Sequence, residues 1–316
     1  MDEIHLAEID MNNKEKYGIF QGVKEGLGKH PFRKIFIPSR YNYIAAFLTL
    51  ECNFNCSYCI NSFSNKMRLP KDQMSGREWV TGLNRIVSRN DLPVTLQGGE
   101  PSLHPDFIWV INNLKKDLKI DILTNLQFDV DEFIAEVDPN RLKRDAPYAS
   151  IRVSYHSENI ELDELIFKVK RMQEAGFSIG VYGIFHPQFE EIILYAQKKC
   201  WNLGIDFRIK EFLGEFNGKI YGTYLYNNAI TRSSKRRCLC RTTELIIGPS
   251  GNIYRCHQDL YENLTPIGHI LDRDFQIEDR FRECWMYGYC NPCDIKIKTN
   301  RFQQFGHTSV EIKDIR

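Results

Sequence analysis

The sequence predicts an α/β protein, a partial (β/α)6 barrel followed by a small cysteine-rich C-terminal domain. Apolar runs of strand length alternate with helical segments six times between residues 43 and 212, which is typical of parallel βαβ units with right-handed crossovers. Nine of the ten cysteines lie in two groups, at residues 52–59 and 238–293. We therefore expect an N-terminal extension at 1–42, the barrel at 43–230 and the cysteine-rich domain at 231–316.

The elements are predicted from apolar periodicity and from the residues that begin and end helices. Strands are expected at 43–50, 93–97, 119–124, 149–154, 178–185 and 206–212, and helices between them at 75–88, 105–117, 130–137, 160–175 and 188–203. Ser75 is a suitable N-cap for the first helix, and Gly176 and Gly204 stand where glycines end the last two. Beyond the barrel, residues 245–256 are expected to form a hairpin around a Pro-Ser-Gly-Asn turn.

The composition is that of an ordinary globular protein, with 42% apolar and 26% charged residues. The 42 Lys and Arg nearly balance the 41 Asp and Glu, so no net field recruits nucleic acid or an anionic membrane. No apolar stretch approaches the roughly 20 residues that span a bilayer, and the N-terminus lacks the pattern of a secretory signal. We expect a cytoplasmic protein without nucleic-acid or membrane partners. Because disulfides are unusual in that reducing compartment, the clustered cysteines indicate metal binding.

The first cysteine group, Cys52, Cys56 and Cys59, directly follows the first predicted strand as C-x3-C-x2-C. Thiolates this close in sequence can converge on one metal centre. A tetrahedral zinc site or a cubane cluster takes four ligands, so one position is left for a group that is not protein. Taken alone, these three cysteines fit a zinc site and an iron–sulfur cluster equally well.

The second predicted strand runs directly into Gly98, Gly99, Glu100 and Pro101. Two glycines at a strand end allow the backbone to approach a ligand where a Cβ atom would collide. The carboxylate that follows is placed to meet an ammonium group. Both motifs stand at the carboxyl ends of predicted strands, where parallel barrels bind their ligands.

A C-x3-C-x2-C loop after one strand and a GGEP after the next resemble the radical S-adenosylmethionine (SAM) superfamily. The resemblance implies that Cys52, Cys56 and Cys59 hold a [4Fe–4S] cluster whose fourth iron is chelated by SAM. It also implies that the segment Gly98 to Glu100 binds the SAM ammonium group. Reductive cleavage of SAM, with a reductant such as flavodoxin or ferredoxin, would give methionine and a 5′-deoxyadenosyl radical that takes a hydrogen atom from the substrate.

The same resemblance suggests further SAM contacts. Tyr58, just before the last cysteine of the loop, matches the position that packs near the adenine. Polar residues at the end of the fourth strand often hold the SAM carboxylate and ribose in this family, and Ser154 is the best candidate there. Weaker candidates at strand ends are Thr124, Asn125, His156, Lys210 and Glu211.

The C-terminal spacing, from Cys240 through Gly251 to Cys256 and then a C-x2-C, resembles the SPASM/twitch extension of some radical SAM enzymes. That extension carries auxiliary [4Fe–4S] clusters, and the shorter twitch form with one cluster fits better. The expected ligands are Cys240, Cys256, Cys290 and Cys293; a four-cysteine zinc ribbon would use equally good spacing.

Three cysteines are left outside the two expected ligand sets. Cys238 and Cys284 could be buried packing, ligands in place of a neighbour, or a hydrogen-atom donor to the substrate radical. Cys200 lies on the apolar face of a predicted helix, so we expect it to pack in the core.

The function that these observations favour is oxidation or epimerisation of a small molecule, such as a sugar derivative, by a radical SAM enzyme of oxidoreductase or epimerase type. Radical modification of a peptide or protein is an alternative. A non-catalytic zinc-binding protein is an alternative of another class, in which the GGEP segment has no role.

Overall fold

The computed structural model describes residues 32–62, 72–298 and 306–314. Most of the predicted N-terminal extension, residues 1–31, lies outside the described residues. The described residues from Lys34 onwards group together as one compact unit. The division of this unit at 230/231 stays a prediction.

The centre of the fold is a parallel sheet whose six strands alternate with helices along the chain. In spatial order these strands are adjacent to one another, and each neighbouring pair is parallel. The predicted partial (β/α)6 barrel is confirmed. Its strands are β2 (Tyr43–Thr49), β4 (Val94–Gly98), β5 (Ile120–Thr124), β6 (Ile151–Tyr155), β7 (Ile179–Phe185) and β8 (Phe207–Glu211).

Five helices connect these strands and cover their apolar side chains. They are α1 (Gly76–Leu83), α2 (Phe107–Asn113), α3 (Val130–Glu136), α4 (Leu162–Glu174) and α5 (Glu190–Asn202). Ser75 caps α1 as predicted, in a capping box with Glu78. Gly176 and Gly204 follow α4 and α5 with φ of 89° and 72°, the left-handed conformation that glycine adopts at low cost. Cys200 is fully buried on α5 in the hydrophobic core, as expected.

The first helix is shorter than predicted. It ends at Leu83 and not at 88, because Ile86–Val87 forms a strand, β3, that pairs in parallel with β1 (Ile35–Phe36). Ile and Val are β-branched and favour a strand over the end of a helix. The pairing partner lies about fifty residues earlier in the chain, so the local pattern did not reveal it.

The predicted C-terminal hairpin is present and has an unexpected partner. Its strands are β12 (Glu244–Ile247) and β13 (Asn252–Tyr254), which pair in antiparallel fashion. β12 also pairs in parallel with β2, so the hairpin extends the barrel sheet. β14 (Gly268–His269) adds a further antiparallel strand at that edge.

The remaining C-terminal strands form a separate three-stranded antiparallel sheet. Its central strand is β11 (Arg236–Thr242), flanked by β15 (Arg282–Tyr287) and β16 (Val310–Asp314). The hairpin β9 (Gly214–Phe216) and β10 (Lys219–Tyr221) precedes β11 in the chain. The short helix α6 (His257–Tyr261) follows β13, and the short helix α7 (Pro292–Ile295) follows β15. Among the described residues, no helix is both long and apolar enough to cross a membrane.

Candidate active site

A cavity of about 750 Å³ opens at the carboxyl ends of the barrel strands. The barrel supplies one side of its lining, including the cysteine loop after β2 and the glycines after β4. The C-terminal segment supplies the other side, through Tyr261, Cys293 and Lys296. The cavity is therefore formed jointly by the barrel and the cysteine-rich region.

The three cysteines of the first group all line this cavity. Cys52 is exposed, and Cys56 and Cys59 are half-buried. The backbone N–H of Phe54 donates to Cys52 Sγ over 3.4 Å, and the Asn159 side chain donates to Cys56 Sγ over 3.4 Å. Burial raises the pKa of Cys56 to about 12, so without a metal this thiol keeps its proton. Three accessible thiols, two of which already receive an N–H donor, fit an iron–sulfur cluster with one iron left open.

Gly98 and Gly99, at the end of β4, are required because this strand end passes close to the backbone just before the cysteine loop. A Cβ atom on Gly98 would lie 2.1 Å from the Thr49 carbonyl oxygen, and one on Gly99 would lie 2.2 Å from the Glu51 carbonyl oxygen. The sequence led us to expect a close approach to a ligand. In this structure the close approach is to the chain that carries Cys52, which ties the two motifs together.

Glu100 is buried, with 1% of its surface exposed, and its carboxylate accepts four hydrogen bonds. Oε1 accepts from the backbone N–H of Ser102 (3.1 Å), the Ser102 hydroxyl (2.7 Å) and the Thr124 hydroxyl (2.7 Å). Oε2 accepts only from the backbone N–H of Asn125, at 2.7 Å, among the contacts of the described residues. A carboxylate has about four lone-pair sites, so Oε2 can accept a further donor. Burial raises the pKa of Glu100, and a cationic donor would lower it again.

Tyr58 and Ser154 also line the cavity. The Tyr58 hydroxyl lies 3.2 Å from Nδ1 of His156, and its ring centroid lies 5.3 Å from that of His186. Burial lowers the pKa of His156 to about 4, so this imidazole is neutral near pH 7. Tyr58 is thus held in place by the end of β6, the strand that carries Ser154.

The C-terminal cysteines lie in different parts of the cysteine-rich region. Cys240 lies beside Cys238 and Cys284, with all three thiols within 4.8 Å of one another. Cys256 and Cys290 belong to a different buried cluster. Cys293, on α7, lines the cavity. Among the described residues, the thiols of the four expected ligands do not all lie within 4.8 Å of one another. That these four cysteines together bind an auxiliary cluster stays a prediction.

The family model of the Radical SAM superfamily matches residues 47–193. This range includes the C-x3-C-x2-C loop, the GGE segment and the strand ends that surround the cavity. Residues 47–193 of this chain are a radical SAM domain. The cofactors of this superfamily are a [4Fe–4S] cluster and SAM, and the cysteine-rich region expected for an auxiliary cluster is present in this chain.

Curated relatives resemble only part of this radical SAM chain. It is 26% identical over 191 residues to the molybdenum cofactor biosynthesis protein moc-5 of Caenorhabditis elegans, covering 59% of this chain and 30% of that protein. It is 28% identical over 108 residues to a GTP 3′,8-cyclase of Campylobacter jejuni subsp. doylei, covering 33% of each. The chain thus spans about a third of the length of these relatives. The solved structure of native anSMEcpe with bound AdoMet shares 12% identity with a TM-score of 0.48, covering 73% of this chain and 78% of that one.

Several cavity residues were not predicted. Arg152 and Tyr182 project from β6 and β7, and Lys298 comes from the C-terminal segment. Arg152 is held by Asp121, which is fully buried and lies 3.4 Å from Arg152 Nη2 and 2.7 Å from Arg144 Nε. The sequence could have revealed this pair, because Asp121 and Arg152 each interrupt an apolar strand and a buried charge needs a partner of opposite charge.

Proposed function

We propose that this radical SAM enzyme oxidises or epimerises a small molecule after taking a hydrogen atom from it. The observation that carries the proposal is the single cavity that contains the cysteine loop, Glu100 and the cationic side chains of the C-terminal segment. Its volume of about 750 Å³ must hold SAM as well, and small-molecule sites commonly measure about 300–1,000 Å³. The space left beside SAM suits a small substrate.

The positions of the chain's own residues support the following roles. Cys52, Cys56 and Cys59 would hold the cluster, and Glu100 Oε2 would accept from the SAM ammonium group. Tyr58 and Ser154 border the space for the adenosine and the carboxylate. A reduced cluster held by these cysteines would supply the one electron needed for cleavage of SAM to methionine and the 5′-deoxyadenosyl radical. The cavity walls orient the substrate and keep water away.

The end of the cavity near α7 favours a substrate that carries an anionic group. Lys210 Nζ lies 4.5 Å from the centre of the Tyr182 ring, and Lys296 Nζ lies 3.7 Å from Glu211 Oε1. Both lysines line the cavity, and so does Arg152. Cations placed in a partly desolvated pocket attract carboxylates or phosphates more strongly than they would in water.

The experiment that tests the function begins with protein purified without oxygen. Iron and sulfide are measured, and the reduced protein is given SAM with sugar phosphates, sugar acids, neutral sugars or peptides in turn. We expect anionic sugar derivatives to increase the release of 5′-deoxyadenosine. Stimulation by peptides alone would support the peptide alternative, and colourless zinc protein that releases no 5′-deoxyadenosine would support the non-catalytic one.

Replacing Glu100 with glutamine should weaken SAM binding about tenfold. A charge-assisted hydrogen bond is about twice as strong as a neutral one, a difference of about 1–1.5 kcal/mol, and 1.4 kcal/mol is tenfold in affinity. The dissociation constant of SAM would be measured by calorimetry on anaerobic protein of known iron content. Glu51→Gln is the matched control, because Glu51 lines the same cavity but is exposed. If Glu100→Gln binds SAM as tightly as the unaltered protein, Glu100 does not bind the SAM ammonium group.

A further inference from the structure

The three-stranded C-terminal sheet brings three thiols together on one face. Cys238 and Cys240 alternate along β11, so their side chains emerge on the same side, and Cys284 on β15 is the cross-strand partner of Cys238. The sulfurs of Cys238 and Cys240 are 3.4 Å apart, and all three sulfurs lie within 4.8 Å of one another. All three residues are buried, with 1%, 5% and 6% of their surfaces exposed. Within the described ranges, no other three cysteine, histidine or acidic side chains converge this closely.

The separation of the sulfurs distinguishes a single metal ion from an iron–sulfur cluster. Thiolates around a tetrahedral zinc ion, with zinc–sulfur bonds of about 2.3 Å, lie about 3.8 Å apart. In a [4Fe–4S] cluster each thiolate binds a different iron, so the ligand sulfurs are further apart. The loop cysteines Cys52, Cys56 and Cys59 do not form a group as compact as this one. We propose that Cys238, Cys240 and Cys284 bind one metal ion, and that this ion is Zn²⁺.

The surroundings of the three thiols suit a thiolate-bound cation. Arg255 donates to the carbonyl oxygen of Glu283, the residue before Cys284, over 2.8 Å, and its guanidinium lies 2.8 Å from Asp259. This guanidinium, paired with Asp259, thus lies on the backbone beside Cys284. The backbone N–H of Met286 donates to Cys284 Sγ over 3.5 Å, a hydrogen bond of the kind that orients metal-bound sulfur. Apolar neighbours, among them Ile312, cover the site.

The proposed ion joins β11 to β15 and so stabilises the small sheet. Structural zinc sites with thiolate ligands contribute directly to folding. The trio supplies three ligands, and one tetrahedral position remains for a donor outside it. The proposal takes Cys240 out of the auxiliary-cluster set that the sequence suggested and leaves Cys256, Cys290 and Cys293 for such a cluster. It does not depend on the proposed reaction, because SAM cleavage relies on a separate set of cysteines.

The test is metal analysis of the whole protein, purified anaerobically without chelators. We expect one zinc per chain, and a zinc X-ray absorption spectrum that fits at least three sulfur neighbours at about 2.3 Å. Cys284→Ser should lose this zinc. Cys200→Ser is the matched control, because Cys200 is buried but lies on α5 in the barrel core, and it should keep the zinc. The absorption spectrum of the unaltered protein decides the case even if Cys284→Ser does not fold.

Three results would overturn the proposal. In the first, iron occupies the site and is lost in Cys284→Ser while no zinc is present. In the second, peptide mapping finds a disulfide between Cys238 and Cys284 in metal-free protein. In the third, the bound zinc shows fewer than three sulfur neighbours. Release of 5′-deoxyadenosine by the same preparations reports separately on the proposed reaction, so failure of one proposal is distinguishable from failure of the other.

Discussion

Replacing Cys52, Cys56 and Cys59 together with alanine is expected to abolish SAM cleavage. These are the three thiols beside Glu100 in the cavity, and without them no cluster can deliver an electron to SAM. Release of 5′-deoxyadenosine from reduced protein should fall below detection. The C-terminal metal content should stay, because its ligands lie in another part of the chain and the two sites load independently.

The control for the triple variant is Cys200→Ala, which removes a thiol from the barrel core without touching the cavity. It should keep both its iron and its SAM cleavage, at some cost in stability from the lost packing. Release of 5′-deoxyadenosine by the triple variant would show that the cluster is held elsewhere. Loss of all metal from the triple variant would show that the two sites do not load independently.

The local pattern of the sequence was sufficient for the barrel, because each strand and helix is specified by its own periodicity and caps. All six predicted strands overlap the observed ones. Ser75 begins a helix, and Gly176 and Gly204 end helices, as expected. The errors come from pairings between distant parts of the chain. The pairing of Ile86–Val87 with Ile35–Phe36 ended the first helix early, and that of β12 with β2 joined the hairpin to the barrel sheet.

The same distinction applies to the candidate site. The rule that ligands sit at the carboxyl ends of parallel strands selected Thr124 and Asn125, which do contact Glu100. It could not select Tyr261 or Lys296, because these reach the cavity from a segment that folds back over the barrel. Nothing in the spacing of cysteines shows that strand register places Cys284 opposite Cys238.

Replacing Gly99 with alanine is expected to disrupt the cysteine loop and with it the binding of both iron and SAM. The new Cβ atom would lie 2.2 Å from the Glu51 carbonyl oxygen and 2.6 Å from that of Leu50. These atoms belong to the backbone, so the chain itself must move. The hydrogen bond of 2.7 Å from the Glu100 N–H to the Glu51 carbonyl would lengthen or break, displacing both Glu100 and the adjoining Cys52. Overpacking of this kind costs about 1–3 kcal/mol.

Iron per chain, SAM affinity and the free energy of unfolding, measured on the same anaerobic preparation, test this expectation. Gly204→Ala is the control, because nothing lies within 4 Å of its Cβ position and its φ is +72°. An alanine there should cost about 1–2 kcal/mol through backbone strain alone, with iron content and SAM affinity unchanged. Gly99→Ala should instead bind SAM at least tenfold more weakly than the unaltered protein. It should also load less iron than Gly204→Ala, even where the two variants are equally stable. If the two variants differ only in stability, the glycines after β4 serve the fold and not the coupling of the two motifs.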